Sequence, residues 1–147
     1  MKKVDTKLAK LVVKEATKLR KEATKEELNN LSVDLNDLNQ DNRSRCIYGQ
    51  MTGDCYSKRA NKLIVKCAER VYSIDKERNG SLFDDAKLNG KPKKTKKRIG
   101  KYFSPIEMYI YLSNSKKGKK ALLQYIKGIK DTLEPSELFK SKKVLAD

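Results

Sequence analysis

The sequence predicts a mainly α, single small domain of four to five helices, covering 1–147, with a long basic loop or small β-hairpin at about 74–101. Three observations carry this reading. Apolar residues recur at i, i+3 and i+4 in three separate segments. Helix-start signatures stand just ahead of apolar segments. Turn dipeptides and lysines crowd into one stretch after Tyr72.

Residues 5–23 form the first expected helix, with Leu8, Leu11, Val12, Ala16 and Leu19 on one face, Asp5 as its cap and lysines over the other faces. Thr24 and Glu27 make a capping box, so a new helical turn starts there and carries Leu28 and Leu31 inward. From Ser32 to Ser44 the chain is polar and reads as loop, pinned to the core by Val33, Leu35 and Leu38. Tyr48-Gly49 and Thr52 to Asp54 read as tight turns. Ser57 then caps a helix over 58–72, whose apolar face holds Ala60, Leu63, Ile64, Cys67, Ala68 and Val71. Asn79-Gly80 and Asn89-Gly90 mark turns in the next stretch, which ends in a flexible basic connector at about 89–101. Ser104, Pro105 and Glu107 give a complete helix start ahead of a short, nearly all-apolar helix. A last long helix is expected over 116–133, with Leu122, Tyr125, Ile126, Ile129 and Leu133 inward and Lys119, Lys120, Lys127 and Lys130 outward. Pro135 ends it, and the tail adds one short helix that docks through Leu138 and Phe139.

Charge narrows the function. The chain carries 35 Lys and Arg against 19 Asp and Glu, a net charge of +16. Such an excess draws a protein to polyanions. No histidine is present, which excludes Ser-His and Cys-His catalysis and His-ligated metal. The three cysteines are spaced C-x8-C-x11-C, with no C-x-x-C pair, and suit a reducing cytoplasm. No apolar run is long enough for a signal or membrane segment, so a cytoplasmic protein is expected, in a host's cytoplasm if phage-encoded. Neither a cofactor nor a metal site is expected, and the absence of a nucleophile–base pattern argues against an enzyme.

Arginine is scarce, and four of the chain's seven arginines fall between Arg43 and Tyr72. Bidentate arginine forks suit phosphate, so Arg43, Arg45 and Arg59 are candidate contacts, with Lys62, Lys66 and Arg70 completing a basic flank on the 58–72 helix. Lys93, Lys94, Lys96, Lys97, Arg98 and Lys101 form a second basic run. Tyr48, Tyr56 and Tyr102 sit beside basic residues and are candidate base-stacking groups. These features point first to nucleic acid, DNA or RNA, held mainly by its phosphates. A phage-type accessory or inhibitor protein that covers an acidic partner, such as a host nucleic-acid enzyme, is the alternative. A small-anion or nucleotide site at the 43–59 turn is the third reading, which Asp54 weakens by placing negative charge there.

Overall fold

The protein is mainly helical; a computed structural model describes residues 3–75, 81–87 and 102–139. Helix α1 (Lys3–Glu22) packs against four later helices. Leu8, Val12, Ala16 and Leu19 are buried along its inner side. Each large apolar side chain so buried contributes about 1.5–3 kcal/mol. Asp5 stands inside the helix rather than capping it.

Helix α2 (Lys25–Asn30) starts at the expected capping box: the Glu27 N–H donates to Thr24 Oγ1 at 3.0 Å, and the Thr24 N–H donates to Glu27 Oε1 at 2.9 Å. Leu31 is buried just beyond it. The polar stretch that follows is turns and one 3-10 turn, with Val33, Leu35 and Leu38 packed on the core as the sequence suggests.

The next segment departs from expectation. Tyr48 and Gly49 are not a turn but lie within helix α3 (Ile47–Thr52), which ends at Gly53 with φ of 102°. Gly49 is required by contact rather than by turn geometry. A Cβ there would collide with the backbone carbonyl of Arg43.

Helix α4 (Lys58–Cys67) begins where Ser57 Oγ accepts the Ala60 N–H at 3.1 Å. It is shorter than the expected 58–72 helix. Ala68 caps it in extended conformation, and strand β1 (Arg70–Asp75) takes over. Arg70 therefore lies on a strand, not on the helix flank. The helical period of Ala60 to Val71 concealed this change, because Ala68 and Val71 are buried in either conformation. Strand β1 pairs antiparallel with β2 (Ser81–Lys87), with Tyr72 opposite Asp84 and Ile74 opposite Leu82. A long basic loop or a small β-hairpin was expected at about 74–101; the antiparallel pair lies at 70–87, and 76–80 and 88–101 lie outside the described residues. A two-residue strand β3 (Tyr102–Phe103) pairs with the other edge of β1, giving the order β2-β1-β3.

Helix α5 (Pro105–Leu112) has the predicted Ser104 cap and Glu107 capping box, and it is buried almost all round. Helix α6 (Lys116–Lys127) stops at Gly128, a left-handed cap with φ of 86°, instead of running to 133. The early stop leaves Ile129 exposed rather than in the core, while Leu133 is buried as expected. Helix α7 (Pro135–Leu138) docks Leu138 in the core, and Phe139 meets Tyr109 edge-on at 5.2 Å. Lys127 does not face out. Its ammonium donates to the carbonyls of Leu28, Asn29 and Leu31 at 3.0, 3.3 and 2.6 Å, closing the C-terminus of α2. No described helix is long and apolar enough to cross a membrane.

Candidate nucleic-acid interface

Two basic regions emerge, and they differ in what their cations hold. The first contains the arginines of 43–59. The loop that leads into α3 and the loop after it bring Arg43 against Asp54. Arg43 Nε and Nη2 donate to the two carboxylate oxygens at 2.9 and 2.6 Å. The same guanidinium lies over the Tyr56 ring at 4.2 Å. The hydrogen bonds from Arg43 hold the Asp54 carboxyl below its ordinary range. Arg45 Nη2 donates to the Asn36 carbonyl at 3.1 Å.

Arg59, on the first turn of α4, reaches back to α2. Its Nε and Nη2 donate to Glu27 Oε2 and Oε1 at 2.7 and 2.8 Å, and Nη2 also lies 3.4 Å from the Glu22 carbonyl. Glu27 is thus shared between its own capping box and Arg59, and the arginine lowers its carboxyl pKa. Each fork meets a carboxylate of the same protein. Arg43 and Arg59 therefore tie loop and helix junctions together.

The candidate stacking groups also separate. Tyr48 is fully buried and cannot stack on a base. Its hydroxyl donates to Glu15 Oε2 at 2.5 Å inside the core. Tyr56 is exposed, with one ring face taken by Arg43. Tyr102 pairs through its backbone with Ser73. Lys93, Lys94, Lys96, Lys97, Arg98 and Lys101 lie outside the described residues.

In the second region Lys62 and Lys66 are candidates from the sequence, whereas the lysines of α1 were not singled out there. On α1, Lys7, Lys10, Lys14, Lys18 and Lys21 are all exposed. Their spacing of three or four residues sets them in one stripe opposite the buried Leu8–Leu19 side. The stripe is about 21 Å long at 1.5 Å per residue. Helix α4 packs beside α1 and exposes Lys58, Lys62 and Lys66 at intervals of four. Two ion pairs stitch the seam: Lys14 to Glu69 at 3.0 Å and Lys66 to Glu22 at 3.5 Å. Both are exposed pairs of the kind worth about 0–1 kcal/mol. The result is a broad lysine surface with Glu22 and Glu69 paired to lysines along the seam. The signal was present in the sequence as a 3-4-4-3 lysine spacing, but on a single helix that spacing looks like an ordinary solvated face.

Beneath these surfaces lies a buried acidic cluster. Glu15, on the inner side of α1, accepts the Tyr48 hydroxyl and the Ile106 N–H, the latter at 2.8 Å. Burial pushes the Glu15 carboxyl up to about 7. Burial raises Glu107 too, while its Oε1 accepts the Ser104 N–H at 3.1 Å. The cysteines are free. Cys67 is in the core, and its thiol is pushed up to about 12 by burial. A hydrogen bond with Cys55 raises the Cys46 thiol and lowers that of Cys55, which is half-buried. Among the described residues no group of three or more cysteine or acidic side chains is placed to hold a metal ion.

No protein-family model, no curated protein and no solved structure matches this chain.

Proposed function

We propose that this protein binds nucleic acid chiefly through the phosphate backbone, using the lysine face of α1 and α4. The observation that carries the reading is the exposed five-lysine stripe of α1 beside Lys58, Lys62 and Lys66. Ammonium groups are strongly hydrated point charges, suited to phosphates and poor at reading base edges. The reading is therefore of a binder with little sequence preference. The basic run at 91–101 adds further charge to the chain. A nucleotide site at the 43–59 turn has less support, since Asp54 and Glu27 occupy the forks of Arg43 and Arg59.

Fluorescence anisotropy with duplex DNA and RNA of equal length tests the proposal. If six or more phosphates are neutralised, affinity falls about 10³-fold or more between about 50 and 200 mM salt. Substituting Lys10, Lys14 and Lys62 together by Ala should flatten the log–log slope by about two to three. A salt-independent response would overturn the reading.

A further inference from the structure

We propose that the cleft between α6 and α7 is a second, separate site, which takes phosphate esters of one to three phosphoryl groups. It does not rest on the lysine face of α1 and α4. The cleft has a volume of about 320 Å³ and is lined by Lys117, Lys120, Ala121, Gln124, Lys130 and Glu137.

Local sequence builds it. Lys117, Lys120 and Gln124 lie at i, i+3 and i+7, so they share one line along α6. Ala121, between them, keeps the floor low. Gly118 lets α7 close against α6, since a Cβ there would collide with the Tyr109 hydroxyl and the Leu138 carbonyl. That approach is fixed by the Tyr109 hydroxyl donating to the Leu138 carbonyl at 2.6 Å. The left-handed Gly128 then folds the chain back. The N–H groups of Ile129 and Lys130 both donate to the Gln124 carbonyl, at 2.9 and 3.1 Å, which brings Lys130 to the cleft.

Charge decides the ligand class. Three lysines face one carboxylate. Glu137 Oε1 sits 3.0 Å from Lys130 Nζ, and Oε2 accepts the Glu134 N–H at 2.9 Å, so Lys130 is oriented by a carboxylate that is itself held. Lys117 and Lys120 have no ion-pair or hydrogen-bond partner among the described residues. The neighbouring Lys119 ammonium is pushed below its usual range by burial and by Lys116, and the first turn of α6 holds no acid. Within the cleft, Lys117 and Lys120 stand at i and i+3, like charges whose mutual repulsion a bound anion relieves. The Gly118 N–H is already capped by Ser115 Oγ at 3.0 Å, so side chains do the holding. The volume is at the small end for ligand sites and suits a phosphate group with an adjoining sugar.

The full chain can be titrated with inorganic pyrophosphate and followed by backbone amide NMR. The expected result is a saturable shift confined to 117–124 and the Lys130 region. Lys117→Ala with Lys120→Ala should weaken binding about tenfold or more. Lys10→Ala with Lys18→Ala should spare pyrophosphate while weakening nucleic acid, so the two proposals fail separately. All four lysines are exposed, and an unchanged melting temperature confirms that each variant folds. Two further probes identify the source of the phosphate. Tighter binding of adenosine triphosphate than of oligonucleotides indicates free nucleotides. Tighter binding of a 5′-phosphorylated oligonucleotide than of its 5′-hydroxyl twin indicates a nucleic-acid end. Equal loss of pyrophosphate binding in both double variants, or shifts spread over all lysines, would overturn the site.

Discussion

The arginine segment 43–59 and the lysine face of α1 and α4 are both strongly basic, yet their charges serve different ends. Arg43 and Arg59 each grip a carboxylate through two hydrogen bonds, and Arg45 holds a carbonyl. Arg20 behaves alike, lying 4.3 Å over the Tyr125 ring and 3.4 Å from the Asp131 carbonyl. The lysines of the α1 stripe, Lys14 apart, hold nothing within the described protein. Geometry explains the division. A planar fork is ordered at small entropic loss per bond formed, while a lysine tip gains more from staying hydrated. The scarce arginines Arg43, Arg45 and Arg59 thus mark structural junctions, while most lysines of the α1 stripe stay in solvent.

The largest test of this contrast is Gly49→Ala. If 43–59 is a structural piece, the added methyl forces α3 away from the Arg43 carbonyl and loosens the whole segment. A loss of about 2–4 kcal/mol is expected in urea unfolding, in line with overpacking at a rigid backbone contact. A neutral result would mean that the segment moves freely and would break the comparison at its structural end.

Next is Glu15→Gln, which probes the link between the two regions, since Glu15 of α1 holds Tyr48 of the arginine segment. The folded-state pKa of Glu15 is raised from 4.5 to about 7 by burial. Its contribution is therefore fully present below 4.5 and lost as pH rises through about 7. Over that window wild-type stability should fall by about 3 kcal/mol relative to the variant. Glu107, raised in the same direction, keeps its own slope in both proteins. Parallel pH–stability curves for wild type and variant would remove Glu15 from this role.

The smallest effects are the most discriminating. Arg59→Ala should lose about 1 kcal/mol, as a well-formed partly buried pair does, and leave the salt slope of nucleic-acid binding unchanged. Because Arg59 lowers the Glu27 pKa, that loss should shrink as pH falls through the Glu27 titration. Lys62→Ala should do the converse: stability within about 0.5 kcal/mol of wild type, and a salt slope flatter by nearly one. Chemical unfolding and anisotropy on the same two variants make the comparison.

What the sequence revealed follows the range of the interactions involved. The caps at Thr24, Ser57 and Ser104 are local and were legible, because each needs only residues within one turn. Strand β1 was not, since its partners at 81–87 and 102–103 are distant and its first residues continue the helical period of α4. The role of Tyr48 was equally hidden: its partner Glu15 lies 33 residues away. The ends of Arg43 and Arg59 were invisible for the same reason, although Asp54 already argued against a phosphate cradle. The α1 stripe was legible as spacing and lacked only the neighbour, α4, that widens it into a surface.

The ammonium of Lys127 has a consequence for how the protein opens. A helix of six residues does not persist on its own. Helix α2 survives because its last carbonyls are sealed from a distance of nearly a hundred residues along the chain, while Arg59 braces its first turn from α4. Its unfolding is thereby coupled to fraying at the end of α6 and at the start of α4. Amide hydrogen exchange should therefore show α2 opening together with the end of α6 and the start of α4.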